Sequence, residues 1–161
     1  MSVLVKGSDR FRLISLGSGL TPYSNTMSLD RFIQAQEKTY AGALAELKAG
    51  KKKGCWIWWI FPQLRGLGTS YESTYYGITD AEEALAYFEH PVLGLRYREC
   101  VAVVHGQLCQ NGVAPLKLLG GEVDVRKLRS SLKLFLGVIE TPEETFREQA
   151  DQIIHVLGRG C

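Results

Sequence analysis

The sequence lacks the features that direct a protein into a membrane or a secretory pathway. Spanning a bilayer takes about 20 consecutive apolar residues, whereas the apolar run that ends at Phe61 is followed at once by Pro62. Near the N-terminus, Lys6, Asp9 and Arg10 interrupt any apolar core of a signal peptide. The sequence therefore predicts a cytoplasmic protein without a membrane partner.

Cysteine and histidine are also scarce. The four cysteines, Cys55, Cys100, Cys109 and Cys161, form no C-x-x-C pair and no spacing typical of a metal site. In a reducing compartment such cysteines are free thiols. The sequence thus predicts neither a bound metal ion nor another cofactor.

Neither positive nor negative charge is in large excess, since the formal net charge is only +2. Proteins that bind nucleic acid by electrostatics concentrate many uncompensated lysines and arginines on one face. Nucleic acid is therefore disfavoured as a partner of the whole chain. A local basic patch, Lys51 to Lys53, remains compatible with two interpretations: a solvated helix end, or a basic edge beside aromatic residues that binds single strands.

The chain has 161 residues, a length that fits one domain. Residues 1–27 show no sustained periodicity and are rich in Gly, Ser, Pro and Asn, so they are predicted to form a flexible leader. Residues 28–161 are predicted to form a single helical domain. The sequence makes no prediction of its oligomeric state.

Aromatic residues are concentrated in one segment, Gly54 to Ile78, with the sequence GCWIWWIFPQLRGLGTSYESTYYGI. All three tryptophans stand at its beginning, and glycines and tyrosines follow. The part WIWWIF is too short to be assigned by its periodicity, and the glycine-punctuated remainder is predicted to be a loop. The segment is either the centre of the core or the wall of a pocket.

Strand patterns are missing, and the rest of the domain has helical periodicity. We therefore predict an all-α fold, a compact array of about five helices around the aromatic-rich segment, with no significant sheet. The predicted helices run from Ser28 to Gly50, from a capping box at Thr79 to His90, from Pro91 to about Gln110, from Asp124 onward, and from Thr141 onward.

Gln36 lies in the apolar stripe of the first predicted helix, between Phe32, Ile33 and Tyr40. Burying its amide without partners would cost about 1 to 3 kcal/mol. Gln36 is therefore predicted either to join a buried hydrogen-bond network or to face a ligand.

Several motifs resemble domain-of-unknown-function family 1810, sometimes labelled calpastatin-like. They are LDRFIQAQEKTYAGALAELKAGKKKGCWIWWIFPQLRGLGTS, YYGI, EALAYFEHPVLGLRYREC and KLRSSLKLF, spread over roughly residues 28 to 157. The resemblance implies a multihelical domain and no assigned activity. Among the positions it marks are Trp56, Ser70 and Tyr76, whereas Cys55 departs from a histidine found in many relatives.

Two functions compete on this evidence, and neither fixes whether the protein is an enzyme. The first is a small-molecule pocket for a nucleotide-like or other planar anionic ligand, with His90 as the candidate acid or base. The second is a non-catalytic helical interaction module in which the same polar residues form a structural network. Binding of single-stranded nucleic acid is a third, weaker interpretation. The predicted ligand-binding residues are Gln36, Trp56, Gln63, Ser70, Tyr76, Arg96 and Ser131.

Overall fold

The computed structural model describes the backbone of residues 20–141 and 143–159, and the side chains from residue 29 onward within those ranges. Its regular structure there is helical, and one isolated parallel bridge, between Leu64 and Ile78, is the extent of the β-pairing in this part. The predicted all-α fold is thus confirmed. The helices are α1 (Leu20–Ala49), α2 (Ile57–Ile60), α3 (Tyr71–Tyr75), α4 (Ala81–Glu89), α5 (Leu93–His105), which continues into a π-helical turn (Gly106–Gln110), α6 (Pro115–Leu119), α7 (Glu122–Val138) and α8 (Glu144–Arg159).

The first helix, α1 (Leu20–Ala49), includes residues before Ser28, so the predicted start at Ser28 is wrong. Residues 20–27 of the predicted leader are therefore helical, and the remainder, residues 1–19, lies outside the described residues. No helix within the described part of the chain is long and apolar enough to cross a membrane.

Other helix starts are displaced by a few residues. Asp80 caps α4 by accepting the N–H of Glu83 at 2.9 Å, and the Glu83 carboxylate accepts the Thr79 N–H at 2.8 Å. The capping box therefore lies one residue later than predicted. α7 begins at Glu122, so Asp124 lies in its first turn, where a carboxylate still complements the helix dipole.

Three short helices, α2, α3 and α6, have no counterpart among the predicted elements. Each contains at most five residues, which is little more than one turn. A single turn is too short for a period to appear in the sequence. The tryptophan segment is thus one helical turn, and the loop after it contains another.

From Phe32 onward the chain forms one compact unit, with aromatic rings from four helices at its centre. Tyr97 of α5 lies 4.7 Å from Phe135 of α7, and Phe88 of α4 lies 5.0 Å from Phe146 of α8, measured between ring centroids. These tilted arrangements are the favourable ones for aromatic pairs. The tryptophan segment adds Phe61, which is 1% exposed and 5.8 Å from Tyr97.

The π-helical turn that follows α5 contacts the C-terminal end of α1. Its Gln107 side chain is buried, and Nε2 donates to the carbonyl oxygens of Leu47 and Lys48 at 2.9 and 2.8 Å. These carbonyls belong to the last turn of α1, where the helix offers no N–H donors. The turn therefore caps the C-terminal end of α1 with a side chain.

Candidate functional site

The first polar group beside the tryptophans is the glutamine cluster, which we define as Gln36, Trp59, Tyr87 and Arg96. The Gln36 amide nitrogen donates to the carbonyl oxygen of Trp59 at 2.8 Å and to the hydroxyl of Tyr87 at 3.1 Å. The Tyr87 hydroxyl donates in turn to the same carbonyl at 3.2 Å. Arg96 Nη1 lies 3.4 Å from Gln36 Oε1 and donates to it. Gln36, only 1% exposed, therefore has partners for both ends of its amide.

Arg96 is also held from its other side. Its guanidinium lies 4.8 Å from the ring centroid of Tyr40, and the Tyr40 hydroxyl donates to Glu99 at 2.5 Å. Burial and the Glu99 carboxylate raise the pKa of Tyr40 above its ordinary value. Burial likewise raises the pKa of Tyr87, against the opposing effect of its bond with Gln36. Both tyrosines thus remain neutral donors.

A second polar group surrounds Trp56, whose Nε1 donates to Glu46 Oε1 at 2.8 Å. The same oxygen accepts the backbone N–H groups of Lys53 at 2.7 Å and Gly54 at 3.0 Å. Burial acts to raise the pKa of Glu46, but these hydrogen bonds and the charge of Lys52 outweigh it, so the pKa is lowered. Glu46 therefore acts as an ionised acceptor that fixes Trp56.

Lys52 differs from its neighbours Lys51 and Lys53, which are exposed. Its side chain is 9% exposed, and Nζ pairs with Asp124 at 2.8 Å and donates to the Gly54 carbonyl at 2.6 Å. The basic run is thus divided, because its middle lysine is an internal structural cation. This leaves two of the three lysines on the surface.

The segment Gln63 to Ile78 is a loop whose ends are joined by two backbone hydrogen bonds. Arg65 N–H donates to Ile78 at 2.8 Å, and Ile78 N–H donates to Gln63 at 2.9 Å. A Cβ on Gly77 would lie 2.6 Å from Arg65 Cα, so only glycine lets the two ends approach. Compact loops with adjacent ends are frequently functional.

Inside this loop, Ser70 caps α3 by accepting the Ser73 N–H at 3.1 Å. Tyr76, just after α3, packs its ring 4.9 Å from Trp59 and 6.0 Å from Phe32. Tyr76 therefore connects the loop to the glutamine cluster.

A small cavity lies between the loop, α2 and α7, and we call it the loop cavity. Its volume is about 10 Å³, which is room for one group the size of a water molecule. Trp58 Nε1 is buried and has no hydrogen-bond partner among the described residues. The lining residues are Trp58, Phe61, Gln63, Glu72, Ser73, Tyr76, Gly77 and Lys127.

Lys127 gives the loop cavity a positive charge. Its Nζ lies 4.6 Å from the ring centroid of Trp58 and 4.0 Å from Asp124, and its side chain is 14% exposed. Burial lowers the pKa of Lys127, and the charge of Lys52 acts in the same direction, whereas Asp124 and Glu72 oppose the shift. Lys127 is thus a partly desolvated ammonium group.

A larger groove, of about 470 Å³, lies between the π-helical turn and α8. Its lining includes Cys109, whose thiol has a pKa raised by burial, and thiols react as thiolates. Nearby, the His105 ring nitrogen and Gln152 Oε1 are hydrogen-bonded at 2.6 Å. The Cys109 thiol is therefore not activated by its surroundings.

The structure distributes the sequence-predicted residues over several places. Gln36 and Arg96 meet in the glutamine cluster, and Gln63 and Tyr76 meet in the lining of the loop cavity. The other four have protein partners of their own: Trp56 with Glu46, Ser70 with Ser73, Ser131 with Tyr97, and His90 with Val92 and Leu93.

Ser131 and His90 both have partners within the protein. Ser131, predicted to bind a ligand, is 0% exposed, and its hydroxyl lies 2.9 Å from that of Tyr97. His90 Nδ1 accepts the N–H groups of Val92 and Leu93 at 3.0 and 3.2 Å. This nitrogen therefore caps the first turn of α5.

Among the residues of these clusters that the sequence reasoning did not single out are Glu46, Trp58, Glu72 and Lys127. Helical spacing would have placed Glu46 on α1, but its partners lie in the turn after that helix. Lys127 approaches Trp58 from a helix far along the chain. No local pattern in the sequence carries either contact.

Two comparisons with known proteins returned matches. The sequence model of a family described as "Protein of unknown function (DUF1810)" matches residues 26–156. The crystal structure of the conserved hypothetical protein Rv1873 from Mycobacterium tuberculosis is 36% identical, with a TM-score of 0.71, over 83% of this chain and 89% of that chain. A search of curated proteins found no match. The family resemblance expected from the motifs is thus confirmed.

Proposed function

We propose a ligand-binding function for this chain, which belongs to the DUF1810 family of proteins of unknown function. The ligand is a small planar molecule that enters the loop cavity with an anionic group. The observation that carries the proposal is the buried indole nitrogen of Trp58, which has no acceptor among the described residues.

An N–H group without a partner is an exception in folded proteins, since more than about 90% of buried polar groups are hydrogen-bonded. Leaving one unpaired costs about 1 to 3 kcal/mol. A ligand oxygen placed against Trp58 Nε1 would remove that cost. The unpaired donor therefore favours binding of an acceptor at this position.

The charge and shape of the lining support an anionic and planar ligand. Lys127 supplies the positive charge beside Trp58, and the Gln63 amide supplies a further polar contact. The rings of Trp58, Phe61 and Tyr76 form much of the remaining surface, as in most small-molecule sites. Because the cavity holds only one small group, the planar part of the ligand lies at its mouth, or the loop moves outward.

The proposal concerns binding, and no catalytic step is included. The candidate acid or base, His90, is engaged through Nδ1 as a helix cap. Gln36 and Arg96, the other predicted ligand contacts, already bind each other. In this proposal they support the site through Tyr76, whose ring packs on Trp59.

The test is a thermal-shift screen of the full chain against nucleoside monophosphates and aromatic carboxylates, because a ligand that binds only the folded state raises its stability. At least one probe is expected to raise the midpoint of unfolding. Trp58→Phe and Lys127→Met are expected to abolish that rise. Lys133→Met, on the exposed side of α7, is the matched control and should leave it unchanged.

Three results would contradict this proposal. The first is that no probe shifts the midpoint. The second is a shift that survives both Trp58→Phe and Lys127→Met but is lost in Arg96→Ala, which would move the anion site to the glutamine cluster. The third is a high-resolution crystal structure in which an ordered water alone accepts from Trp58 Nε1.

A second candidate function is an interaction module, and the outer face of the loop favours it. Leu67 is 62% and Tyr71 is 72% exposed, and the Tyr71 ring stacks on Tyr75 at 5.6 Å and 10°. Contiguous exposed apolar residues mark interaction surfaces, and tyrosine is enriched in them. We take a second copy of this chain as the partner.

Sedimentation velocity tests this second candidate. A concentration-dependent dimer is expected, and Leu67→Ser combined with Tyr71→Ser should remove it. A monomer at every concentration would count against self-association. Binding of single-stranded nucleic acid is a weaker hypothesis, because within the run Lys51 to Lys53 the middle lysine is paired with Asp124 and only the outer two are exposed.

A further inference from the structure

The loop cavity is lined by two opposite charges that belong to different elements. Glu72 lies on α3 within the loop, and Lys127 lies on α7. The negative charge of Glu72 acts on Lys127, because it favours the charged ammonium group and so acts to raise its pKa. No ion pair joins the two within the described residues, and the ion pair of Lys127 is with Asp124 at 4.0 Å. A third group that lies against both side chains would therefore interact with both charges.

The ion pairs around Lys127 do not neutralise it fully. Asp124 is its nearest carboxylate, at 4.0 Å, but the other oxygen of Asp124 already pairs with Lys52 at 2.8 Å. One carboxylate therefore faces two ammonium groups. The side of the cavity formed by Lys127 and the Trp58 N–H is positive, and the side formed by Glu72 is negative.

The inference drawn from this arrangement rests on the proposed function and makes its ligand more specific. We propose that the ligand is amphoteric: an anionic group accepts from Trp58 Nε1 and Lys127, and an adjacent cationic group donates to Glu72. Because the cavity holds only one small group, an oxygen of the anionic group enters it, and the cationic group, its neighbour on the same head group, lies at its mouth. The ammonium and carboxylate of an α-amino acid have this arrangement, and an aromatic side chain supplies the planar part.

A purely anionic ligand fits these residues less well. Its charge would lie close to the Glu72 carboxylate in a site partly withdrawn from solvent, where repulsion is stronger than in water. A ligand with a neighbouring ammonium group converts this repulsion into a charge-assisted hydrogen bond. Glu72 would therefore select between the two ligand classes.

Three matched probes separate the contributions of the two charges: phenylalanine, 3-phenylpropionate, which lacks the amine, and phenethylamine, which lacks the carboxylate. Isothermal titration of the full chain should show phenylalanine binding about tenfold more tightly than 3-phenylpropionate, as expected for one charged hydrogen bond. Phenethylamine should bind most weakly, because it leaves Trp58 Nε1 and Lys127 without an acceptor.

Substitution of Glu72 gives the decisive comparison. Glu72→Gln should weaken phenylalanine about tenfold and leave 3-phenylpropionate unchanged or more tightly bound. Lys127→Met should weaken both. Glu82→Gln, an exposed glutamate at the start of α4, is the matched control and should affect neither. Far-UV circular dichroism confirms that each variant is folded.

The outcomes separate this inference from the proposed function. If phenylalanine and 3-phenylpropionate bind equally, and Glu72→Gln weakens neither, the ligand is anionic without being amphoteric, and only this inference is overturned. If none of the three probes binds the wild-type chain, this inference is overturned, whereas the proposed function still depends on its own screen. If Glu72→Gln weakens the binding of phenylalanine but not that of 3-phenylpropionate, both this inference and the proposed function are supported.

Discussion

The glutamine cluster and the loop cavity begin at adjacent tryptophans and differ in how completely their polar groups are paired. In the glutamine cluster, the Trp59 carbonyl accepts two hydrogen bonds, and the Trp59 indole nitrogen donates to Thr39 at 2.8 Å. In the loop cavity, the Trp58 indole nitrogen has no partner among the described residues. Paired buried groups specify one packed structure. An unpaired one favours a site that an outside molecule completes.

Tyr76 contacts both regions. Its ring packs on Trp59 and Phe32 and also lines the loop cavity. The glutamine cluster therefore supports one wall of the cavity. Damage to the cluster should lower stability first and binding second, whereas damage to the cavity should lower binding alone.

The largest expected effect is at Gln36. Gln36→Ala removes a buried side chain together with its bonds to Trp59, Tyr87 and Arg96. The free energy of unfolding should fall by about 3 kcal/mol, measured by urea denaturation. The matched control is Gln34→Ala, at an exposed position of the same helix, which should change it by less than about 0.5 kcal/mol.

Equal losses of unfolding free energy in Gln36→Ala and Gln34→Ala would contradict the difference between the two regions, because the glutamine cluster would then not be a stabilising network. A loss of ligand binding in folded Gln36→Ala at full stability would contradict it in another way. That result would assign the amide to the binding site itself.

The next largest effect is expected at Glu46, a charged acceptor whose hydrogen bonds also stabilise the fold. Glu46→Gln keeps the shape but loses the charge that accepts from Lys53, Gly54 and Trp56. The free energy of unfolding should fall by about 2 kcal/mol at neutral pH. Glu37→Gln, exposed on the same helix, is the control and should leave it nearly unchanged.

The pH dependence follows from the lowered pKa of Glu46. Its carboxylate stabilises the fold fully above its ordinary pKa of 4.5, and this contribution is lost as the pH falls through the lower value of the folded state. The difference between wild type and Glu46→Gln should therefore shrink below pH 4.5. A difference independent of pH would mean that the charge of Glu46 contributes nothing.

The sequence was sufficient for the helical fold and for the burial of Gln36, because both depend on helical periodicity. The five predicted helices are present, and Gln36 lies on the core side of α1 with its amide paired. Helix starts were less predictable, since Thr79 and Asp80 are both residues that cap helices. In the structure the Asp80 side chain accepts the Glu83 N–H and is the cap.

The loop cavity could not be predicted, because its features depend on which distant groups meet. Nothing in the sequence separates Trp58 from Trp59, which have the same chemistry and adjacent positions. Their difference arises because Thr39 of α1 lies beside one indole nitrogen and no described acceptor lies beside the other. The approach of Lys127 to Trp58 likewise exists only after α7 has packed.

The smallest effect is the sharpest test, because the two tryptophans allow one change at neighbouring positions. Trp59→Phe loses the hydrogen bond to Thr39 and should lower the free energy of unfolding by about 1 kcal/mol. Trp58→Phe loses no described hydrogen bond and removes a buried unpaired donor. It should be at least about 1 kcal/mol less costly than Trp59→Phe, while it alone abolishes the ligand-induced rise in the unfolding midpoint. Equal costs would mean that Trp58 Nε1 has an acceptor in solution, and the difference between the two regions would then disappear.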